Sequence, residues 1–125
     1  MNKVIKTTNA PTPIGPYNQA ILANNTLYLS GQIALNPLNG ELEIETIPNE
    51  THRVMKNLQA VLNEAGMDFQ HLVKCTIFLS DMDHFKEVNT VYNGYFEDGF
   101  PARETVQVSK LPMGVNVEIS GIAVK

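Results

Sequence analysis

One cysteine stands in a chain of 125 residues, so no disulfide within the chain is possible. The nine Lys and Arg residues, at positions 3, 6, 53, 56, 74, 86, 103, 110 and 125, never cluster, and the net charge is −4. Nucleic acids and anionic membrane surfaces are held through basic patches, so the composition counts against both partners. No apolar run approaches the roughly 20 residues of a membrane span. Met1-Asn2-Lys3-Val4-Ile5-Lys6 lacks the apolar core of a signal peptide, and the expectation is a soluble cytoplasmic protein. His52, His71 and His84 lie far apart, no His, Cys or carboxylate group shows metal-ligand spacing, and all three histidines read as ordinary surface residues. There is no phosphate loop, no G-x-G-x-x-G and no Ser-His-Asp or Cys-His constellation. Repeats, low-complexity tracts and linkers are also missing.

What is present is enough to fold. With 43% hydrophobic and 18% charged residues, the chain can bury a real core, and its length suits one domain over residues 1–125. Cys75 lies in Val73-Lys74-Cys75-Thr76-Ile77-Phe78-Leu79 on the side of Val73, Ile77 and Leu79. It reads as a small buried hydrophobe, since a nucleophilic thiol wants a basic neighbour and the sequence places none.

Lys3-Val4-Ile5 is a candidate edge strand. Asn9 to Tyr17 carries three prolines and a glycine, which makes a rigid, irregular loop. Such a loop can hold Tyr17 over a pocket or simply pack it. Gln19–Ala23 and Thr26–Ile33 read as strands joined by a hairpin turn at Asn24-Asn25, because Asn tolerates positive φ. Ser30-Gly31 interrupts the second strand, a sign of a bulge or of a close backbone approach. Asn36-Pro37-Leu38-Asn39-Gly40 is a turn-rich loop. A helix is expected over Pro48–Ala65, capped by Thr46 or Asn49 and closed by Gly66, with Val54, Leu58, Val61, Leu62 and Ala65 on its apolar face. Val73–Leu79 is a strand. A second helix, capped by Asp81 or Asp83, is expected over His84–Phe96, facing the core through Phe85, Val88, Tyr92 and Phe96. Asn89 falls inside that arc, so its amide must either tie down a loop or line a site.

Pro101 then starts a strand in which Arg103, Thr105 and Gln107 point one way and Ala102, Glu104, Val106 and Val108 the other. Arg103 offers a planar fork that suits a small carboxylate, or it is a plain surface arginine. Leu111 to Gly114 is a loop. In the last strand, Val115–Val124, Glu118 alternates with Val115, Val117 and Ile119, and Ile122 and Val124 suggest that both faces are covered. An unpaired carboxylate there is costly, so Glu118 is a salt-bridge partner within the fold or a general base. The element order predicts an α+β protein, a mixed six-stranded sheet with two helices on one face.

Five segments taken together carry more. Asn9-Ala10-Pro11-Thr12-Pro13-Ile14-Gly15-Pro16-Tyr17-Asn18-Gln19, Leu29-Ser30-Gly31-Gln32-Ile33, Val88-Asn89, Pro101-Ala102-Arg103, and Leu111-Pro112 with Val117-Glu118-Ile119 closely resemble the Rid (YjgF) family, in its RidA-type reactive-intermediate deaminases. The resemblance spans essentially the whole chain, in order. It implies a chorismate-mutase-like fold and a homotrimer with a site at each subunit interface. It implies hydrolysis of 2-imino acids, such as 2-iminopropanoate and 2-iminobutanoate, to 2-keto acids and ammonia, removing enamine and imine by-products of pyridoxal-phosphate enzymes. It implies no cofactor and no metal. On this resemblance Arg103 clamps the substrate carboxylate, Glu118 holds or deprotonates the attacking water, and Tyr17 closes the pocket. Ser30 and Gly31 line it, Asn89 shapes its wall, and the Thr105 backbone bonds the ligand.

The chain departs from the commonest family pattern at four places. Glu104 and Thr105 stand where many members carry Ser or Ala and then Cys, Met113-Gly114 replaces Lys-Asp, and Ser120 stands at a frequent second glutamate. Two rival readings remain: a trimeric module that binds keto or imino acids without turnover, and a ribonuclease or translation inhibitor. Glu118 speaks against the first, because a pure carboxylate binder gains nothing from a second carboxylate. The acidic balance speaks against the second.

Overall fold

A computed structural model describes residues 2–125. Six strands form one mixed sheet in the order β1-β2-β3-β6-β4-β5, where β1 is Asn2–Ile5, β2 Ala20–Ala23, β3 Thr26–Gln32, β4 Leu72–Leu79, β5 Ala102–Gln107 and β6 Val117–Val124. All neighbours are antiparallel except β4 and β5, which are parallel because the second helix crosses between them. The hairpin between β2 and β3 turns at Asn24, whose φ of 56° is the left-handed conformation that Asn tolerates.

Helix α1 (Ile47–Glu64) starts where Thr46 accepts a hydrogen bond from the Asn49 N–H at 3.1 Å, with Pro48 in its first turn. It ends at Ala65, and Gly66 beyond it takes a φ of 73°. Its Val54, Leu58, Val61 and Leu62 pack on one face of the sheet, against Leu27, Leu29, Ile77, Leu79, Val117, Ile119 and Ala123. The opposite face carries Val4, Tyr28, Val106 and Val124, all exposed. The expectation that β6 is covered on both sides towards its end is therefore not met within one chain, because both helices lie on the same side.

Most boundaries fall within one residue of expectation, and two elements differ by more. The second helix, α2, spans Phe85–Asn93 and is led in by a tight turn over Met82–His84 that Asp81 caps, its carboxylate accepting from the Asp83 N–H at 2.9 Å. Asn93-Gly94 stops it early, both residues being poor helix formers. Phe85 opens the helix and is 38% exposed rather than core. The last strand begins at Val117 and not at Val115, since the turn Pro112–Gly114 runs into Val115 and Met113 takes a φ of 57°. The three histidines are at or near the surface. His71 nevertheless accepts a hydrogen bond from the Asp68 N–H, and His52 bonds the Tyr95 hydroxyl at 2.8 Å.

One polar contact ties the helical layer to the sheet. Glu50 in the first turn of α1 is 0% exposed. Its Oε2 accepts from the backbone N–H of Asn116 at 2.7 Å and of Val117 at 2.9 Å, and its Oε1 accepts from the Asn116 side-chain amide at 2.8 Å. Glu50→Ala strands two buried N–H donors, and each unsatisfied donor costs about 1–3 kcal/mol. A urea titration should show the largest loss for Glu50→Ala and a smaller one for Glu50→Gln, which retains one acceptor oxygen.

Candidate active site

The proline-rich loop before β2 is held from within by Gln19, which is buried. Its Oε1 accepts from the Thr7 N–H at 2.8 Å, and its Nε2 donates to the carbonyls of Thr7, Ala10 and Pro11 at 3.0, 3.3 and 2.9 Å. The loop so fixed places Tyr17 above the edge of the open sheet face, with the Ile14 N–H donating to its hydroxyl at 3.4 Å. Ser30 Oγ donates to the Asn18 carbonyl at 2.6 Å and joins loop to strand. Between Leu29 and Gln32 the ladder of β3 on β6 slips register, which is the irregularity expected at Ser30-Gly31.

Gly31 is required there by close approach. A Cβ built on it would lie 2.0 Å from Oε2 of Glu118 and 2.8 Å from its carboxyl carbon. Ile14, Tyr17, Ser30, Gly31, Ile33, Pro112 and Glu118 together line a cleft of about 320 Å³. Glu118 is half-buried, and among the described residues its carboxylate has no hydrogen bond and no ion pair. Desolvation pushes its pKa up from the ordinary carboxylate value. No fold contact thus accounts for the charge of Glu118.

Arg103 lies elsewhere. Its register partner on β4 is Cys75, on the helix-covered face, whereas the partner of Glu118 is Phe78, on the open face. The guanidinium lies over Tyr92, with Cζ 5.0 Å from the ring centroid, and over Phe85 at 5.7 Å. With Asn89, Thr90, Tyr92, Asn93, Phe100 and Pro101 it lines a second cleft of about 530 Å³. Arg103 makes no ion pair or hydrogen bond among the described residues. Cys75 does have a cation across the ladder, contrary to the sequence reading, yet burial still raises its pKa and it stays a core thiol.

The seven predicted site residues therefore fall into two groups. Tyr17, Ser30, Gly31 and Glu118 share the open-face cleft; Arg103 and Asn89 share the helix-side cleft. Thr105 is on the Arg103 side of β5, opposite Ile77, but does not line that cleft, and its buried hydroxyl has no partner. Glu104 points away from Arg103 as expected and is bound by Thr76 and by Lys74 at 2.9 Å, hydrogen bonds that lower its pKa. Sequence reasoning missed the work of Gln19 and Glu50. Glu50 sits four residues before Val54, in line with the apolar stripe of α1, and a carboxylate in that stripe is the signal that partners await it. Among the described residues no group of His, Cys, Asp or Glu is arranged to hold a metal ion, and no helix is long and apolar enough to cross a membrane.

A mixed sheet covered on one side by two helices makes this an α+β protein, and two of its clefts each present one charge that has no ion pair among the described residues. The family model described as Endoribonuclease L-PSP matches residues 7–125, and the chain belongs to that family, the YjgF/Rid family. The mouse 2-iminobutanoate/2-iminopropanoate deaminase is 46% identical over 125 residues, which cover 100% of this chain and 93% of the mouse protein. The human protein of that name is 42% identical over 100% of this chain and 91% of its own length. Among solved structures, the YjgF gene product from E. coli superposes with a TM-score of 0.94 at 38% identity, covering 98% of each chain. YyfA of the Rid protein family from Yersinia pestis gives 0.97 at 48% identity, covering 100% of each chain.

Two outcomes follow for Glu118. A carboxyl whose pKa is raised on folding binds its proton more tightly in the native state, so its charged form costs stability above the native pKa. That cost disappears as pH falls below the ordinary carboxylate range. Glu118→Gln should therefore raise the melting temperature at neutral pH, with the gain shrinking on acidification. Secondly, Gly31→Ala should keep the fold, because the carboxylate end of Glu118 can swing aside, but the displaced group should lose its desolvation. Carboxyl-carbon NMR across pH should then show Glu118 titrating lower, near an ordinary glutamate.

Proposed function

We propose that the protein hydrolyses 2-imino acids of the 2-iminopropanoate and 2-iminobutanoate type to 2-keto acids and ammonia. In this reading it works as a homotrimer in which the Arg103 cleft of one copy meets the Glu118 cleft of the next. The observation that carries the reading is the separation itself. One chain holds a guanidinium and a desolvated carboxylate on opposite faces of its sheet, and neither makes an ion pair or a hydrogen bond among the described residues. Each is half of the chemistry, and the exposed apolar residues of the open face supply a surface through which copies can associate.

The roles follow from the groups. The substrate carboxylate pairs bidentately with Arg103, which orients C2. Tyr17 closes the cleft over it, with Ser30 and Gly31 as its floor and Asn89 on the facing wall; the Thr105 backbone lies within the same strand. Glu118 takes a proton from water as its oxygen bonds to the iminium carbon, giving a carbinolamine. Returning that proton to nitrogen makes ammonia the leaving group; the C–N bond breaks as the carbinol oxygen forms the C=O bond and passes its own proton to the Glu118 carboxylate, leaving the keto acid. A carboxyl with a raised pKa is suited to both transfers near neutral pH. No cofactor enters. The names of the mouse and human relatives support this substrate class.

The charges at the clefts favour this reading over cleavage of RNA. Arg103 is the one charged residue lining its cleft and Glu118 the one lining the other, among the described residues. A phosphodiester backbone is held by several cations.

In a coupled assay a dehydratase generates the imine and keto-acid release is timed. Arg103→Ala should lose substrate affinity, with charge-assisted pairing worth roughly 2–5 kcal/mol when desolvated. Glu118→Gln should keep pyruvate binding and lose about 10²–10⁴-fold in rate. Light scattering should give three times the 13.8 kDa chain mass. A monomer that hydrolyses imines at full rate, or a Glu118→Gln protein of unchanged rate, would overturn the proposal.

A further inference from the structure

The guanidinium of Arg103 has no anionic partner and no hydrogen bond among the described residues, yet its position is defined by two aromatic rings of α2. Tyr92 and Phe85 are seven residues apart, two turns of the helix, so both rings project towards β5 from one side. The two walls differ in how they are held. Tyr92 is 3% exposed, packs on Phe96 at 4.8 Å between centroids, and puts its hydroxyl among buried atoms. Burial pushes that phenol far up, well past the ordinary tyrosine range. Phe85 lies at the helix start, partly in solvent, with the Arg103 cation 5.7 Å from its ring centroid.

We infer that Tyr92 and Phe85 are positioning residues for Arg103: an aromatic cradle that stacks the guanidinium and turns its donor edge into the cleft before any ligand arrives. This rests on the reading of Arg103 as the carboxylate clamp. The physical reason is that a free arginine side chain samples many rotamers, and each must be lost when a carboxylate binds. Both rings lie within about 6 Å of the guanidinium carbon, the range over which a cation is drawn to an aromatic face. Stacking leaves the N–H edge unused, so the same side chain can be held by the rings and still accept a bidentate partner. The exposed Phe85 has no core duty that would otherwise explain an aromatic at the start of α2. Its place in the cradle does explain it.

The test is pyruvate affinity by calorimetry on the full-length protein, with melting temperature measured on the same preparations. Phe85→Leu keeps apolar bulk but removes the ring, and it should weaken pyruvate about 2- to 30-fold, the range that cation–aromatic contacts supply, with little change in melting temperature. Phe85→Tyr retains the face and should bind as wild type does. Tyr92→Phe should also bind normally, whereas Tyr92→Leu should weaken binding if it folds; the Phe85 pair decides the matter if it does not. In turnover, Phe85→Leu should raise KM with kcat nearly unchanged. Wild-type affinity in Phe85→Leu, alongside lost affinity in Arg103→Ala, would overturn the cradle and leave the clamp standing. Wild-type affinity in Arg103→Ala would remove the clamp, and the cradle with it.

Discussion

Everything at the open face depends on how β6 is entered, and that is set by the Glu50 carboxylate. A fully buried charge survives only where donors surround it. Here the donors are the first two backbone amides at the approach to β6 and a side-chain amide from the same place. Helix α1 and strand β6 are thereby locked in one relative register. Glu118 follows one residue after the clamped Val117, so its direction is fixed by a contact made on the other face of the sheet. Gln19 does for the proline loop what Glu50 does for the strand. Each satisfies several backbone groups at once, and each leaves a neighbouring side chain free to serve something other than the fold.

That economy explains the electrostatics. Glu104 is fully engaged by Lys74 and Thr76, and Glu50 by amides, so neither competes for a ligand. Among the described residues, Arg103 and Glu118 line their clefts without an ion pair. Between them runs a sheet with a dry core on one side and exposed apolar side chains on the other. Within one chain a guanidinium and a carboxylate so placed cannot neutralise each other, and their separation keeps both available.

Much of the fold was legible because its signals are local. The hairpin at Asn24-Asn25, the Thr46 cap, Gly66 after α1 and the alternation in β5 and β6 all depend on neighbours a few residues away. Phe85 was misread because helical spacing from Val88 and Tyr92 places it on the apolar arc, and spacing does not tell that a helix has only just begun there. Val115 was misread because hydrophobic alternation continues backwards through a turn. The residue types of the candidate site were legible from the motifs, but their division into two clefts was not. It depends on the register of three strands, where Arg103 faces Cys75 and Glu118 faces Phe78, and pairing across a sheet leaves little trace in one sequence. Glu50 left such a trace, an acid in an apolar stripe.

Gly31 also constrains the order in which this protein can change. While a glutamate occupies position 118, any side chain at position 31 meets its carboxylate at 2.0 Å. Once that glutamate is gone, the space above position 31 opens and alanine or serine there becomes neutral. A glutamate that returns beside that side chain still folds but finds its seat taken, and its carboxylate must stand aside from the cleft. Loss of the carboxylate is thus easily made permanent by a second, harmless substitution, and the two positions act as a ratchet that turns one way.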